Sequence, residues 1–223
     1  MLVEARIYAI PPGRMGDITD RMLERVPPLF LRHDITAVAH WYALAGPLLP
    51  AFIYLIAWRD ARHREDGWAR FYDDPEWWEI RSQTNAGSEL VDSYALWLAT
   101  PTGHVDAAFD GCGFADNEID DLVISHVPIG QNATVDAAFT QTIIPHLTDC
   151  GARVRSVLRA NAGPRIPSVL WIVSWRDMDQ RARAWADLDW HWGAASPLKD
   201  LGSRDVYLMK PLLPRQTAEI ETR

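Results

Sequence analysis

The sequence predicts an α+β fold: two tandem ferredoxin-like β-α-β-β-α-β modules that close into a fused, pseudo-dimeric α/β barrel. Three observations carry this. The chain repeats itself: Gly46-Pro47, Pro50, Trp58-Arg59-Asp60, Arg64 and Trp68-Ala69 recur as Gly163-Pro164, Pro167, Trp175-Arg176-Asp177, Arg181 and Trp185-Ala186, at one constant offset (175 − 58 = 117). Pro11/Pro128, Gly13/Gly130 and Pro28/Pro145 keep the same offset. Two long copies make a duplicated domain rather than a solenoid. Within each copy, strand-period and helix-period segments alternate in the split βαβ order. Finally, a four-stranded sheet with both helices on one face leaves its other face bare, and a second sheet must cover it.

The elements follow in order. Val3 to Ile10 alternates as a strand and ends at Pro11-Pro12-Gly13. Asp17 to Leu31 places Ile18, Met22 and Val26 at helical spacing, with Asp17 as cap or first-turn acid. Thr36 to Leu44 is a strand, Gly46 to Pro50 a turn, and Ala51 to Trp58 an apolar strand buried on both faces. Ala61 to Tyr72 is a helix, and Asp74-Pro75-Glu76-Trp77 starts another with proline in its first turn. Leu90 to Leu98 closes the first module. The second repeats the order: strand 120–127, helix 133–147, strands 153–160 and 169–175, helix 179–190, strand 206–209. This divides the chain into a first module (1–100), a linker (101–119), a second module (120–213) and a loose polar tail (214–223).

Composition narrows the function. Of 223 residues, 48% are hydrophobic and 23% charged, as in ordinary globular domains. A net charge of −8 argues against a nucleic-acid partner, which needs clustered lysine and arginine. Cys112 and Cys150 lack ligand spacing and are expected to be plain thiols. The start of the chain does not read as a targeting peptide, and the longest apolar run, 48–58, is too short for a membrane span. A cytoplasmic location is the default expectation. There is no GxGxxG, Walker loop or GxSxG elbow. Eleven tryptophans, including Trp77-Trp78 and Trp190-His191-Trp192, suggest a cavity with aromatic walls.

Several segments resemble one family. Arg6-Ile7-Tyr8 followed by Pro12-Gly13, His33 before the strand holding Trp41, the run Tyr54 to Asp60, then Arg64-Glu65, Trp68, Phe71 and Asp74-Pro75-Glu76-Trp77 are similar to the NIPSNAP family. The resemblance covers residues 3 to 100 well. It covers 120 to 213 weakly, because His191-Trp192-Gly193-Ala194 stands where the first copy has Asp74-Pro75-Glu76-Trp77. It implies a dimeric α/β-barrel superfamily whose members include cofactor-free monooxygenases, polyketide cyclases and haem enzymes; it does not imply a reaction.

Strand alternation puts Arg6, Tyr8, His40, Tyr42, Phe52, Tyr54, Trp58, Asp92 and Tyr94 on one face of the first module, and Val3, Ala5, Ile7, Ala37, Ala39, Ile53, Leu55, Val91 and Ala95 on the other. The first face is too polar for a plain core and suggests a pocket with converging polar groups. His40 is the candidate general base or acid, with Tyr8 and Tyr54 as proton or hydrogen-bond donors. Arg6 would hold a carboxylate or phenolate, or pair with Asp92, while Tyr42, Trp58, Trp68 and Tyr94 would contact substrate. In the second copy His40 becomes Val157 and Tyr8 becomes Ser125, which favours a single site in the first. The expected function is a small-molecule enzyme of specialised metabolism without organic cofactor or metal. It would catalyse an acid/base-assisted cyclisation, rearrangement or oxygenation of an aromatic or polyketide-like substrate. The alternatives are a non-catalytic ligand-binding or scaffold protein and, less favoured, a haem protein, since haem needs only one histidine. The barrel is expected as a monomer or as a homodimer of it.

Overall fold

The computed structural model describes residues 1–104, 118–188 and 201–212. Cys112, Trp190, His191, Trp192, most of the expected linker and the tail lie outside them. The first module comprises β1 (Leu2–Ala9), α1 (Met15–Asp20), a π turn (Arg21–Arg25), α2 (Pro27–Arg32), β2 (Thr36–Ala45), β3 (Ala51–Trp58), α3 (Ala61–Asp73), α4 (Pro75–Asn85) and β4 (Ser93–Pro101). The second comprises β5 (Ile119–His126), α5 (Asn132–Ala138), a π turn (Phe139–Ile143), α6 (Ile144–Asp149), β6 (Arg153–Ala162), β7 (Ser168–Trp175), α7 (Met178–Ala186) and β8 (Arg204–Leu212).

The eight strands form one closed barrel in the order β1-β3-β2-β8-β5-β7-β6-β4, every pair antiparallel. Each module supplies a contiguous four-stranded sheet, and the sheets join at two seams, β2 with β8 and β4 with β6. The bare faces of both sheets thereby become one interior. All eight strands contribute to it, among them Val3, Trp41, Ile53, Trp97, Leu122, Leu158, Leu170 and Met209. The outer faces pack under the helices in two further cores, one per module.

The tight Trp-Arg-Asp turns behave as the repeat implies. Asp60 caps α3 by accepting the His63 backbone N–H at 2.8 Å, and Asp177 caps α7 by accepting that of Gln180 at 2.7 Å. Asp74 caps α4, with Pro75 in its first turn.

Three local expectations need correcting. The alternation across β2 breaks at a bulge between Ala37 and Ala39, so Ala37 faces the helices whereas Ala39 faces the interior. The second copy has the same bulge between Val154 and Ser156. β4 starts at Ser93, three residues later than the pattern suggests, so Val91 packs with the helix-side core while Ala95 faces the interior. The first helix is two α segments joined by a π turn, which adds a residue and turns Arg21 inward, leaving it 4% exposed.

Candidate functional site

The first module holds a cavity of about 610 Å³ between the outer face of its sheet and its helices. Its floor comes from the strands: Arg6 and Tyr8 on β1, Tyr54 on β3 and Tyr94 on β4. Its walls are Trp68 and Tyr72 of α3, Trp77, Trp78 and Arg81 of α4, and Arg21 of the π turn.

The floor is organised by a carboxylate that the sequence reading passed over. Glu4 is fully buried under α3. It accepts from Arg6 Nε at 2.5 Å, Arg64 Nε at 2.7 Å, Trp58 Nε1 at 3.0 Å and Trp68 Nε1 at 3.1 Å. Burial works against its charge, but Arg6 and the donors from Arg64 and Trp68 outweigh it and hold its pKa below the usual glutamate value. The repeat contains the same clamp: Asp121 accepts from Trp175 at 3.0 Å, Arg181 at 2.8 Å and Trp185 at 2.8 Å. Each partner lies 117 positions from its counterpart, which explains why Trp, Arg and Trp recur at fixed spacing. Arg64, on α3, is thus a buried-carboxylate partner.

The copies differ in one arginine. Arg6 is replaced by Val123, so Asp121 has a single guanidinium and burial pushes its pKa up. Glu4 has two, which leaves a surplus positive charge beside the cavity. Burial opposes the Arg6 charge, but Tyr54, Tyr8 and Glu4 raise its pKa well above the usual arginine value. Its guanidinium lies 4.2 Å from the Trp68 ring centre. It pairs with Glu4, not with Asp92. From Arg6 Nη1 a 3.0 Å bond runs to Tyr8 Oη, and Tyr8 Oη lies 2.6 Å from Tyr54 Oη.

Tyr54 is 1% exposed, and burial, then Tyr8, raise its pKa well above the usual tyrosine value. A phenol held protonated donates, so Tyr8 Oη accepts from both Tyr54 and Arg6. That leaves the hydroxyl hydrogen of half-buried Tyr8 for a ligand in the cavity. Arg21 is a second inward cation. It donates to Thr84 Oγ1 at 2.7 Å and Asn85 Oδ1 at 2.6 Å, both neutral, and burial followed by Arg81 brings its pKa down to about 10.

Arg6, Tyr8, Tyr54 and Tyr94 of the strand face and Trp68 of α3 meet at one cavity. His40, Tyr42 and Trp58 do not line it. His40 stacks on the Tyr54 ring, with centroids 5.9 Å apart and planes at 14°, one ring away from the cavity space. Its Nε2 is enclosed without a hydrogen-bond partner, and burial lowers its pKa to about 4. A base needs reach as well as pKa, and His40 has neither near neutral pH. Tyr42 lies beyond His40 on β2, facing Phe52 across the ladder and outside the cavity wall. Trp58 spends its N–H on Glu4 and is part of the helix-side core. Glu4 and Arg21 were missed. Glu4 had a signal, since the offset places an acid, Asp121, opposite it.

In the second module several of the described counterparts of the floor and helix residues are bulkier or apolar. Trp171 stands in place of Tyr54, Phe139 in place of Met22 and Ala138 in place of Arg21. Trp171 is fully buried, donates to Ser125 Oγ at 3.1 Å and meets Phe139 edge-on at 5.3 Å. The residues that line the first-module cavity include no histidine or cysteine.

Comparison with known proteins places the fold and the first module. No curated protein matches the chain. A candidate monooxygenase of Fusobacterium nucleatum superposes with a TM-score of 0.58 at 8% identity, over 95% of this chain and 92% of that one. An anthrone oxidase-like protein superposes with a TM-score of 0.54 at 14% identity, over 93% and 90%. Such identities establish the shared barrel alone. An uncharacterised NIPSNAP domain protein of Burkholderia xenovorans is 20% identical over 46% of this chain and 96% of its own, with a TM-score of 0.40. The NIPSNAP family model matches residues 3–102, the span that carries the cavity, its floor and its walls. The first module of this chain is therefore similar to NIPSNAP domains over residues 3–102.

Proposed function

We propose that the first module is an enzyme site for an aromatic or polyketide-like small molecule bearing an acidic oxygen. The observation that carries this is the Arg6–Tyr8–Tyr54 chain under an aromatic cavity, where one guanidinium more than Glu4 neutralises faces the ligand space. A phenolate, enolate or carboxylate would accept the Tyr8 hydroxyl, with Arg6 and Tyr54 polarising that hydroxyl from behind. Trp68, Trp77 and Tyr94 would cover the rings. Among wall carboxylates Glu89 is bound to Arg81 at 2.7 Å, which leaves Asp92 as the proton acceptor. Removing a proton to give a stabilised enolate is the first step shared by cyclisation, rearrangement and cofactor-free oxygenation, and the names of two barrel neighbours, a candidate monooxygenase and an anthrone oxidase-like protein, are compatible with it. A non-catalytic binding role is the second reading, favoured by one observation: the wall contains no histidine.

The test compares hydroxylated polycyclic acids with their methyl esters by calorimetry, then follows product and oxygen uptake. The acids should bind at least about tenfold tighter, about 1.4 kcal/mol. Tyr8→Phe should lower turnover about 100-fold with the fold intact. Equal affinity for acid and ester would remove the anion role. Tight binding with no product from any acid would leave the carrier reading standing.

A further inference from the structure

The second module has a cluster of another kind, where the end of α6 meets the end of α7. His146 lies in α6 and Cys150 just past its end, four positions on, so both side chains leave the same side of the helix. Asp187, at the end of α7, comes alongside. Cys150 Sγ is 3.5 Å from His146 Nε2, and Asp187 Oδ2 is 3.1 Å from that same nitrogen. The three donor atoms all lie within 4.8 Å of one another.

Convergence on one nitrogen separates two chemistries. In a Cys–His–Asp relay the thiol and the carboxylate use opposite ring nitrogens, the acid orienting the imidazole from behind. Here both contact Nε2, which does not fit a relay. A tetrahedral ion needs all donors on one side. With metal–sulfur near 2.3 Å and metal–nitrogen near 2.0–2.1 Å, sulfur and nitrogen sit about 3.6 Å apart, and nitrogen and oxygen about 3.3 Å. The observed separations match these to a few tenths of an ångström.

The framework around the cluster is built. Gln180 of α7 donates Nε2 to the Cys150 carbonyl at 2.9 Å and accepts the Arg176 N–H at 2.7 Å, so α7 is tied to the end of α6. Gly151 has φ +77°, and a Cβ there would lie 2.8 Å from Gln180 Nε2. Cys150 and Asp187 open onto a cleft lined also by Gln180 and Arg183. Asp149 adds negative charge near the thiol, and Arg183 is the opposing cation. The first copy has nothing comparable: Leu29, His33 and Arg70 occupy the three equivalent positions.

We propose that His146, Cys150 and Asp187 form a three-ligand site for a borderline divalent transition metal of the zinc class, with a fourth position open to the cleft. Imidazole, thiolate and carboxylate together suit zinc better than the hard cations, which prefer oxygen alone. The sequence pattern leads to the expectation of no metal, because Asp187 joins His146 and Cys150 only through the packing of α7 on α6.

The test titrates the full-length, chelator-treated chain with cobalt(II) as a coloured zinc substitute. One equivalent should bring in a thiolate-to-cobalt charge-transfer band and the strong visible bands of a tetrahedral ion, and zinc should bleach both. Cys150→Ser should abolish the charge-transfer band, whereas Cys112→Ser should keep it. Asp187→Asn, at a partly exposed helix end, should weaken binding by more than the about 10–100-fold typical of losing an outer-shell partner. It also serves as the test if Cys150→Ser fails to fold. Absence of a saturable band, survival of the band in Cys150→Ser, or its loss in Cys112→Ser would overturn the proposal.

Discussion

Single residues differ in how readable they were. Arg6, Tyr8 and Tyr54 could be placed on one face because strand alternation is geometric and does not depend on partners. His40 shares that face, yet the Tyr54 ring stands between it and the cavity, and a period of two cannot show that. Two buried titratable groups give a joint prediction about pH. His40 titrates near 6.5 when unfolded but near 4 in the fold, so the stability it lends is full above pH 6.5 and is lost as pH falls toward 4. Asp120 is fully buried in the barrel, accepts Trp41 Nε1 at 2.6 Å and the Ser174 hydroxyl, and has its pKa raised to about 6, chiefly by burial. Its contribution has the opposite sign: it is present below about pH 4 and lost as pH rises through 6. Relative to the parent chain, His40→Leu should gain stability at pH 4 over pH 7, and Asp120→Asn should gain at pH 7 over pH 4. Each difference should reach about 2–3 kcal/mol. Urea titrations across that range decide it, and parallel pH curves for all three proteins would refute both assignments.

At the level of elements, the repeated tryptophans and arginines are explained by one device, a buried carboxylate at the start of each module's first strand that pins the helix after the third. The sequence showed the donors and their spacing but not the acceptor, because a lone acid in an alternating strand reads as a solvent-facing position. Removing the acceptor should cost unequally. Glu4→Gln leaves Arg6 and Arg64 without a carboxylate and should destabilise the chain by about 3–5 kcal/mol. Asp121→Asn leaves only Arg181, and because burial already disfavours the Asp121 charge its cost should be clearly smaller. Chemical denaturation of both variants measures the order, and an equal or reversed order would contradict the role given to the extra arginine.

For the whole molecule, the closed barrel was legible because duplication and a bare sheet face leave few other solutions. The bulges and the onset of β4 were not, since they depend on pairing register between distant strands. The seams make a further prediction. Gly46, after β2, would drive a Cβ to 2.5 Å from the Tyr207 ring of β8, and its counterpart Gly163, after β6, would drive one to 2.2 Å from the Trp97 ring of β4. Each module thus lays a glycine against an aromatic ring of the other. Gly163→Ala should cost about 1–3 kcal/mol or more, because Trp97 is 3% exposed and hemmed in by the barrel interior. The double variant with Gly46→Ala should be close to additive, the two contacts lying at opposite seams. Since both seams lie within one polypeptide, closing them adds no concentration dependence to the melting temperature.

Closing both seams within one chain also changes what mutation can do. In a symmetric pair of identical subunits, every replacement appears twice, and a residue suited to a binding cavity must also be tolerated at its mirror position. Here Tyr54 can face a cavity while its counterpart Trp171 is buried in the core, and Arg6 can carry a surplus charge while Val123 carries none. Fusion has released the halves from a shared fate, so that one can keep a polar cavity under its helices while the other replaces several of those polar groups with apolar ones.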